Sequence, residues 1–383
     1  MKRSPGAVFG ALCIAGAALV AAYLLYVWKR VPPPPTPVSI STALPDSVPE
    51  IAPAAANAAV PTAPATSTPT APPRDTAEGR PRVARRVFFR HNGVDSHYGQ
   101  VAWVDLAHTD KPHFVESLQC EVVYVAGGRG ICLSADRGVF TTYTARLFDA
   151  RTFAVTGSFP LKGIPSRARV SIDGTLAAST VFVSGHGYTT LDFSTQTLLI
   201  DTRTGIALAD LETFEVRQDG VVLKNSDFNF WGVTFTADAS RFYATLSTGG
   251  NHWLIKGNIA ARSAEVIHEN VECPSLSPDG RHIAYKKRLH DGDRILWQLH
   301  VLELASGREI ALAEKRSIDD QLEWLDDRTV LYSVPSADDG SSPSTDVWMA
   351  SLDAAATPRR FLSNAYSPAS ARCKIAADCA AAN

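Results

Sequence analysis

The chain has 383 residues, with 37 Lys and Arg against 39 Asp and Glu, and a formal net charge of -2 at pH 7. So even a balance supplies no broad attraction to nucleic acid, whose binding begins with phosphate neutralisation. The length suits two or three average domains or one large β fold. Apolar residues are concentrated in the first thirty positions and again after about residue 86.

Residues 1–30 read as a signal anchor. Pro5 to Trp28 carries no charge, is rich in Ala, Leu and Val, and has Lys2 and Arg3 before it and Lys29 and Arg30 after it. A helix of that length spans roughly 36 Å, enough for a hydrocarbon core of about 30 Å. Tyr23, Tyr26 and Trp28 stand at its far end, as an interfacial aromatic belt would. Residues 5–28 are therefore expected in a membrane; cleavage as a signal peptide near Val20-Ala21-Ala22 is the competing reading.

Residues 31–85 are dominated by Pro, Ala, Thr and Ser. Such a segment buries too little apolar surface to offset the entropy of ordering, so a disordered, partly polyproline linker is expected. At about 3.1 Å per residue it reaches on the order of 170 Å. Anchor and tether together place the remainder outside the cytoplasm, in the periplasm or at the cell surface. Six cysteines occur. Cys120 with Cys132, and Cys373 with Cys379, are spaced as disulfides of an oxidising compartment, leaving Cys273 alone; small buried thiols are the alternative.

From Arg86 onward there is no long helical period, while short β-branched and aromatic runs bounded by Gly, Asp and Ser recur. The sharpest unit is Leu276-Ser277-Pro278-Asp279-Gly280-Arg281-His282-Ile283-Ala284-Tyr285, read as two strands and a two-residue Asp-Gly hairpin turn. Strands at Trp297 to Leu304 and Arg308 to Ala313 follow it. Similar four-strand units begin at Arg169, Gly232 and Glu323, and a less regular one runs from Cys120 to Leu161 with Gly127-Gly128-Arg129-Gly130 in its first turn. Val87 to Arg90, Gln100 to Leu106 and Phe114 to Glu116 make three strands lacking a first, which Ala365 to Ala369 can supply. Residues 86–370 then form a closed, six-bladed, all-β propeller of about 47 residues per blade, and 371–383 a C-terminal tail.

The stretch from Leu276 to Tyr285 resembles the WD40-like PD40 repeat of TolB-like β-propellers. The other copies are degenerate: Thr236-Ala237-Asp238-Ala239 lacks the Pro and Gly, and Leu325-Asp326-Asp327 lacks both. The resemblance implies a propeller fold and protein or peptide binding, since similar proteins include a periplasmic scaffold of an envelope-spanning complex and the propeller domains of some peptidases. It implies no catalytic residue.

With strands lettered a to d from the centre of each blade outward, the short a–b turns lie on one face and the b–c loops and d–a connections on the other. The long segments His91 to Gly99, Ser184 to Gln196, Phe214 to Phe230 and Pro335 to Asp346 all fall on that second face, which makes it the expected binding surface. Candidates there are His97, Tyr98, His186 and Tyr188. Phe228, Phe230 and Trp231 are expected to line the channel mouth with Tyr366, or else to pack between blades. Arg167 and Arg169 oppose Asp319 and Asp320, as charges reading a peptide terminus or as a salt bridge. The expected partner is an envelope protein or peptide.

No metal or other cofactor is expected, because the spacing of His91, His97, His186 and His252 matches no compact site. Neither Gly-x-Ser-x-Gly nor His-Glu-x-x-His occurs, and only about a dozen residues follow position 370, which leaves no hydrolase domain there. A binding protein rather than an enzyme is therefore expected. The alternative is a metal-assisted hydrolase or lyase acting at the channel mouth.

Overall fold

The computed structural model describes residues 86–183, 194–292, 294–337, 343–353 and 355–372. The anchor and linker expected at 1–30 and 31–85, together with His186, Tyr188, Cys373 and Cys379, lie outside the described residues.

The described residues form six sheets, each built on four antiparallel strands. Blade I combines strand a at Ala365–Ser370 with Arg86–His91, Gln100–Asp105 and His108–Gln119. Blade II comprises Val122–Ala126, Arg129–Arg137, Thr141–Asp149 and Val155–Leu161; blade III comprises Ile164–Val170, Leu176–Val183, Ser194–Asp201 and Ala207–Asp210. In blade IV the strands are Asn229–Phe235, Arg241–Thr248, Asn251–Asn258 and Ser263–Glu269; in blade V, Glu272–Leu276, His282–Asp291, Arg294–Glu303 and Glu309–Ala311. Blade VI is Glu323–Trp324, Thr329–Pro335, Thr345–Ser351 and Arg359–Leu362. Each a strand touches the a strand of the next blade all the way round, so the ring is closed.

The closure expected from the sequence is present: Val87 pairs with Ser370, Phe88 with Ala369 and His91 with Ala365. Blade position explains the two kinds of strand pattern. Inner strands pack on both faces and read as continuous runs, as in Val122–Ala126, where every residue is buried. Outer strands have one solvated face, as in Val155–Leu161, whose residues alternate between exposed and half-buried from Thr156 onward.

Two expectations are corrected. The turn of blade V is longer than two residues: Ser277 and His282 still pair, leaving Pro278 to Arg281 to make the bend. Gly280 takes φ +71° there, and its N–H donates to the Ser277 carbonyl at 2.9 Å. The Phe214 to Phe230 segment is not simply a loop. Glu215–Gln218 runs parallel to the outer strand of blade IV and pairs in turn with Val221–Val222, which makes that sheet six-stranded. Phe214 and Val216 point inward and are buried beside Leu211, so burial of apolar side chains fastens the segment over a strand edge.

Cys120 and Cys132 form a disulfide with Cα atoms 5.4 Å apart, bridging the entry of blade II to its strand b, while Cys273 is a buried free thiol. Replacing both bridged cysteines by Ser should lower unfolding stability by about 2–3 kcal/mol through the entropy of the opened loop. Denaturant unfolding of the oxidised protein and the double variant tests this; equal stabilities would refute it.

Candidate functional site

The channel at the ring centre is lined by the six a strands, and a buried polar cluster divides it. Glu323 is 1% exposed and stands at the middle. Its Oε2 accepts from Arg169 Nη1 at 2.5 Å and from the Tyr124 hydroxyl at 3.0 Å. Its Oε1 accepts from Arg372 Nη2 at 2.7 Å and from the Ser370 N–H at 3.1 Å. Arg169 spends its other donors on Ser275 Oγ and on the carbonyls of Leu322 and Val233. Its guanidinium also lies 4.6 Å from the Tyr124 ring centroid. Every one of these groups is removed from water, so each hydrogen bond offsets a desolvation cost that would otherwise be large. Arg169 is thus a salt-bridged plug, but its partner is Glu323 rather than the expected Asp319-Asp320 pair.

On the loop side of the plug a second layer gathers the other channel candidates. Arg167 reaches Asp319 at 3.6 Å and donates from Nε to the Cys273 sulfur at 3.5 Å. Arg167, Asp320 and Tyr366 line one narrow recess of about 10 Å³, so these three distant positions do converge. Lys286 forms an ion pair with Asp319 and lies 5.1 Å from the Trp297 ring. Glu272 accepts from Arg288 Nε at 2.9 Å and from Trp297 Nε1 at 3.0 Å. Trp231 and His252 meet edge to face at 5.6 Å.

These contacts tune the titrating groups in opposite senses. Burial pushes the Asp320 carboxyl up, although Arg167 and the Ser333 N–H pull it back. Burial also acts on Asp319, but Lys286, Arg167 and Arg288 outweigh it and hold that carboxyl low. Burial, with Asp320 adding, pushes the Tyr366 hydroxyl up to about 12. His252 is lowered by burial, against the opposing pull of Glu272.

The remaining candidates divide. Phe230 is 1% exposed and lies in a core shared by Leu199 of blade III and Phe242 of blade IV, the packing between blades that is the alternative to the channel mouth. Adjacent strand residues face opposite ways, and Trp231 therefore points toward His252. Phe228 is half-buried against the same core, with its ring 5.9 Å from Phe230. His97 stacks on Phe114 at 4.0 Å, and Tyr98 is half exposed under the Arg90 guanidinium. Next to them, the blade II hairpin tip presents Val139 at 94% and Phe140 at 84% exposure. Among the described residues, no three His, Cys, Asp or Glu side chains are grouped to hold a metal.

Glu323, Glu272, Lys286 and Arg372 are absent from the sequence candidates. Glu272 and Glu323 share a signal that was available: each is a carboxylate inside a short innermost strand, the same rule that selects Arg167 and Arg169.

Replacing Glu323 by Ala strands two buried guanidinium groups and should cost about 3–5 kcal/mol of stability, read by denaturant unfolding; a loss below about 1 kcal/mol would show that the cluster is not a plug. Glu314, in the connection to blade VI, gives a pH test. Burial raises its carboxyl, but Arg316 and the Tyr332 hydroxyl more than compensate, bringing it to about 2 from an ordinary 4.5. A carboxyl lowered on folding stabilises the fold fully above its unfolded value, and that gain vanishes as pH falls through the folded one. Wild type should therefore exceed Glu314→Gln in stability at pH 6 and converge with it as the pH drops toward about 2. A constant difference across that range would contradict the assignment.

No protein-family model matches the chain, and no curated protein matches it. Solved structures do. TolB from Acinetobacter baumannii aligns with a TM-score of 0.51 at 15% identity, over 74% of this chain and 66% of that one, so the match spans a little under two thirds of TolB. Hydrazine synthase from Kuenenia stuttgartiensis aligns with a TM-score of 0.43 at 18% identity, over 67% of this chain and 72% of that one. At such identities the likeness concerns the fold alone. The chain is a six-bladed β-propeller whose fold is similar to that of TolB.

Proposed function

We propose that the chain is a membrane-tethered, extracytoplasmic propeller that binds an envelope protein or peptide through its loop face and catalyses no reaction. The observation that carries this reading is on that face: Val94, Tyr98, Val139 and Phe140, on adjoining b–c connections, are 50–94% exposed. Solvated apolar side chains on neighbouring connections are a cost to a free protein and a gain to a docked one. Glu121 holds Arg137 of the blade II hairpin at 2.7 Å and Arg90 at 3.6 Å, and Arg90 lies 4.9 Å from the Tyr98 ring centroid, so the two connections are neighbours. The charged mouth formed by Arg167, Asp319 and Lys286 adds polar groups suited to orienting a partner chain.

Three features support the tether and compartment. The charge-free run at 5–28 is long enough to cross a bilayer, the Cys120–Cys132 disulfide suits an oxidising environment, and the chain enters the ring at Arg86, beside the a–b turns. Arg86 pairs with Asp105 and its carbonyl accepts from the Ala371 N–H, which leaves the loop face clear of the attachment point.

Site-specific photocrosslinking of the full chain in its own cells tests the proposal. A crosslinker in place of Phe140 or Tyr98 should give discrete protein adducts, and one in place of the exposed Ile206 on the opposite face should not. No adduct from the loop-face positions, or the same adducts from all three, would sink it. Protease access to the propeller in intact cells and carbonate-resistant membrane association should accompany the adducts; a soluble cytoplasmic protein would refute the tether.

A further inference from the structure

The wider channel recess lies on the other side of the plug. At the a–b turn mouth, a small recess of about 70 Å³, open to solvent, is bounded by Val170, Ile172, Phe235, Leu276 and Pro278. Its charged lining consists of Arg169 and Arg372, and no described carboxylate lines it. The nearby aspartates are turned into their own bends: Asp173 accepts from Ser171 and Thr175, Asp238 from Thr236 and Ser240, and Asp279 from Ser277 and Arg281.

Arg169 is fully engaged, but Arg372 is not. Its residue is 7% exposed, and its one side-chain hydrogen bond runs from Nη2 to Glu323. Nε and Nη1 have no partner among the described residues, although the main chain is held on both sides: the N–H donates to Ser370 and the carbonyl accepts from Gly127. Arg169, Arg372 and Glu323 also leave the buried cluster one positive charge in excess. A largely buried guanidinium whose remaining donors meet only solvent, at a recess of apolar walls, is placed to take an anion.

We propose that this recess is a binding site, separate from the loop face, for the carboxylate of a ligand with a short apolar body. The carboxylate takes the free donors of Arg372, and the body rests on Ile172, Phe235, Leu276 and Pro278. Two sources share that chemistry, the C-terminus of a peptide with an aliphatic last residue and a free branched-chain carboxylic acid.

Isothermal titration of the full-length protein separates them, using N-acetyl-Ala-Ala-Leu, its C-terminal amide, and 3-methylbutanoate. Saturable binding of the peptide acid alone assigns the peptide source; binding of 3-methylbutanoate with equal affinity assigns the small acid. In either case the amide should bind about ten-fold more weakly or worse, because a charge-assisted hydrogen bond is lost. Arg372→Gln should weaken the acid similarly. Since that change also touches the plug, Ala237→Trp provides a second variant: Ala237 is an exposed wall residue on a turn, and the indole should block the recess while leaving the unfolding midpoint unchanged. The proposal fails if no acid binds up to about 1 mM, if the amide binds as well as the acid, or if acid binding survives Ala237→Trp undiminished.

Discussion

One carboxylate holds the centre of this ring. Glu323 belongs to blade VI and accepts hydrogen bonds from blade II through Tyr124, from blade III through Arg169, and from the closing strand and the residue just beyond it through Ser370 and Arg372. Apolar contacts stack neighbouring blades, but they are local; Glu323 is where four parts of the ring meet at one point. Since its charge is buried, removing any donor leaves an unpaid desolvation cost, so the cluster specifies which blades meet as well as holding them together. It also splits the channel into two mouths with different chemistry, an ion-paired one under the loops and an apolar one with spare cation donors under the turns.

The repeat that identifies the fold proves to be chemically simpler than its spelling. In three turns the same arrangement recurs: Ser171 with Asp173, Thr236 with Asp238, and Ser277 with Asp279. In each, the hydroxyl also accepts from the N–H five residues on, at Leu176, Arg241 and His282. The Pro is dispensable, and Ala239 takes the positive φ of 56° where the other two turns use Gly174 and Gly280. A hydroxyl and an aspartate two residues apart are thus enough to build the bend. Thr236-Ala237-Asp238-Ala239 reads as a degenerate copy by letter while its turn is intact.

That difference sets what was legible beforehand. Blade number, closure by residues 365–370 and the strand order follow from period-two patterning and turn chemistry, both local in sequence, and they could be read. The convergence of Arg167, Asp320 and Tyr366 could be anticipated once the innermost strands were known. The strand at Glu215–Gln218 could not be placed, because its pairing with Ser263–Glu265 depends on which edge it happens to reach. Phe230 and Trp231 are adjacent aromatics with opposite fates, and only the facing of the strand tells which enters the core. The Glu323 cluster depends on donors far apart in sequence, from Tyr124 to Arg372, which no local pattern brings together.

The way blade I is assembled has a consequence for the order in which the molecule can be completed during synthesis. Its strands b, c and d leave the ribosome before the other five blades and its strand a after them, so this blade remains a three-stranded sheet with an open inner edge until residues 365–370 emerge. Glu323 is likewise made before the Ser370 N–H and Arg372 that complete its shell. A chain halted between the two would carry an unpaired edge and an undersupplied buried charge at once, two exposures that quality-control chaperones and proteases recognise. The closing strand at Ala365–Ser370 therefore acts as a check on the blade it completes.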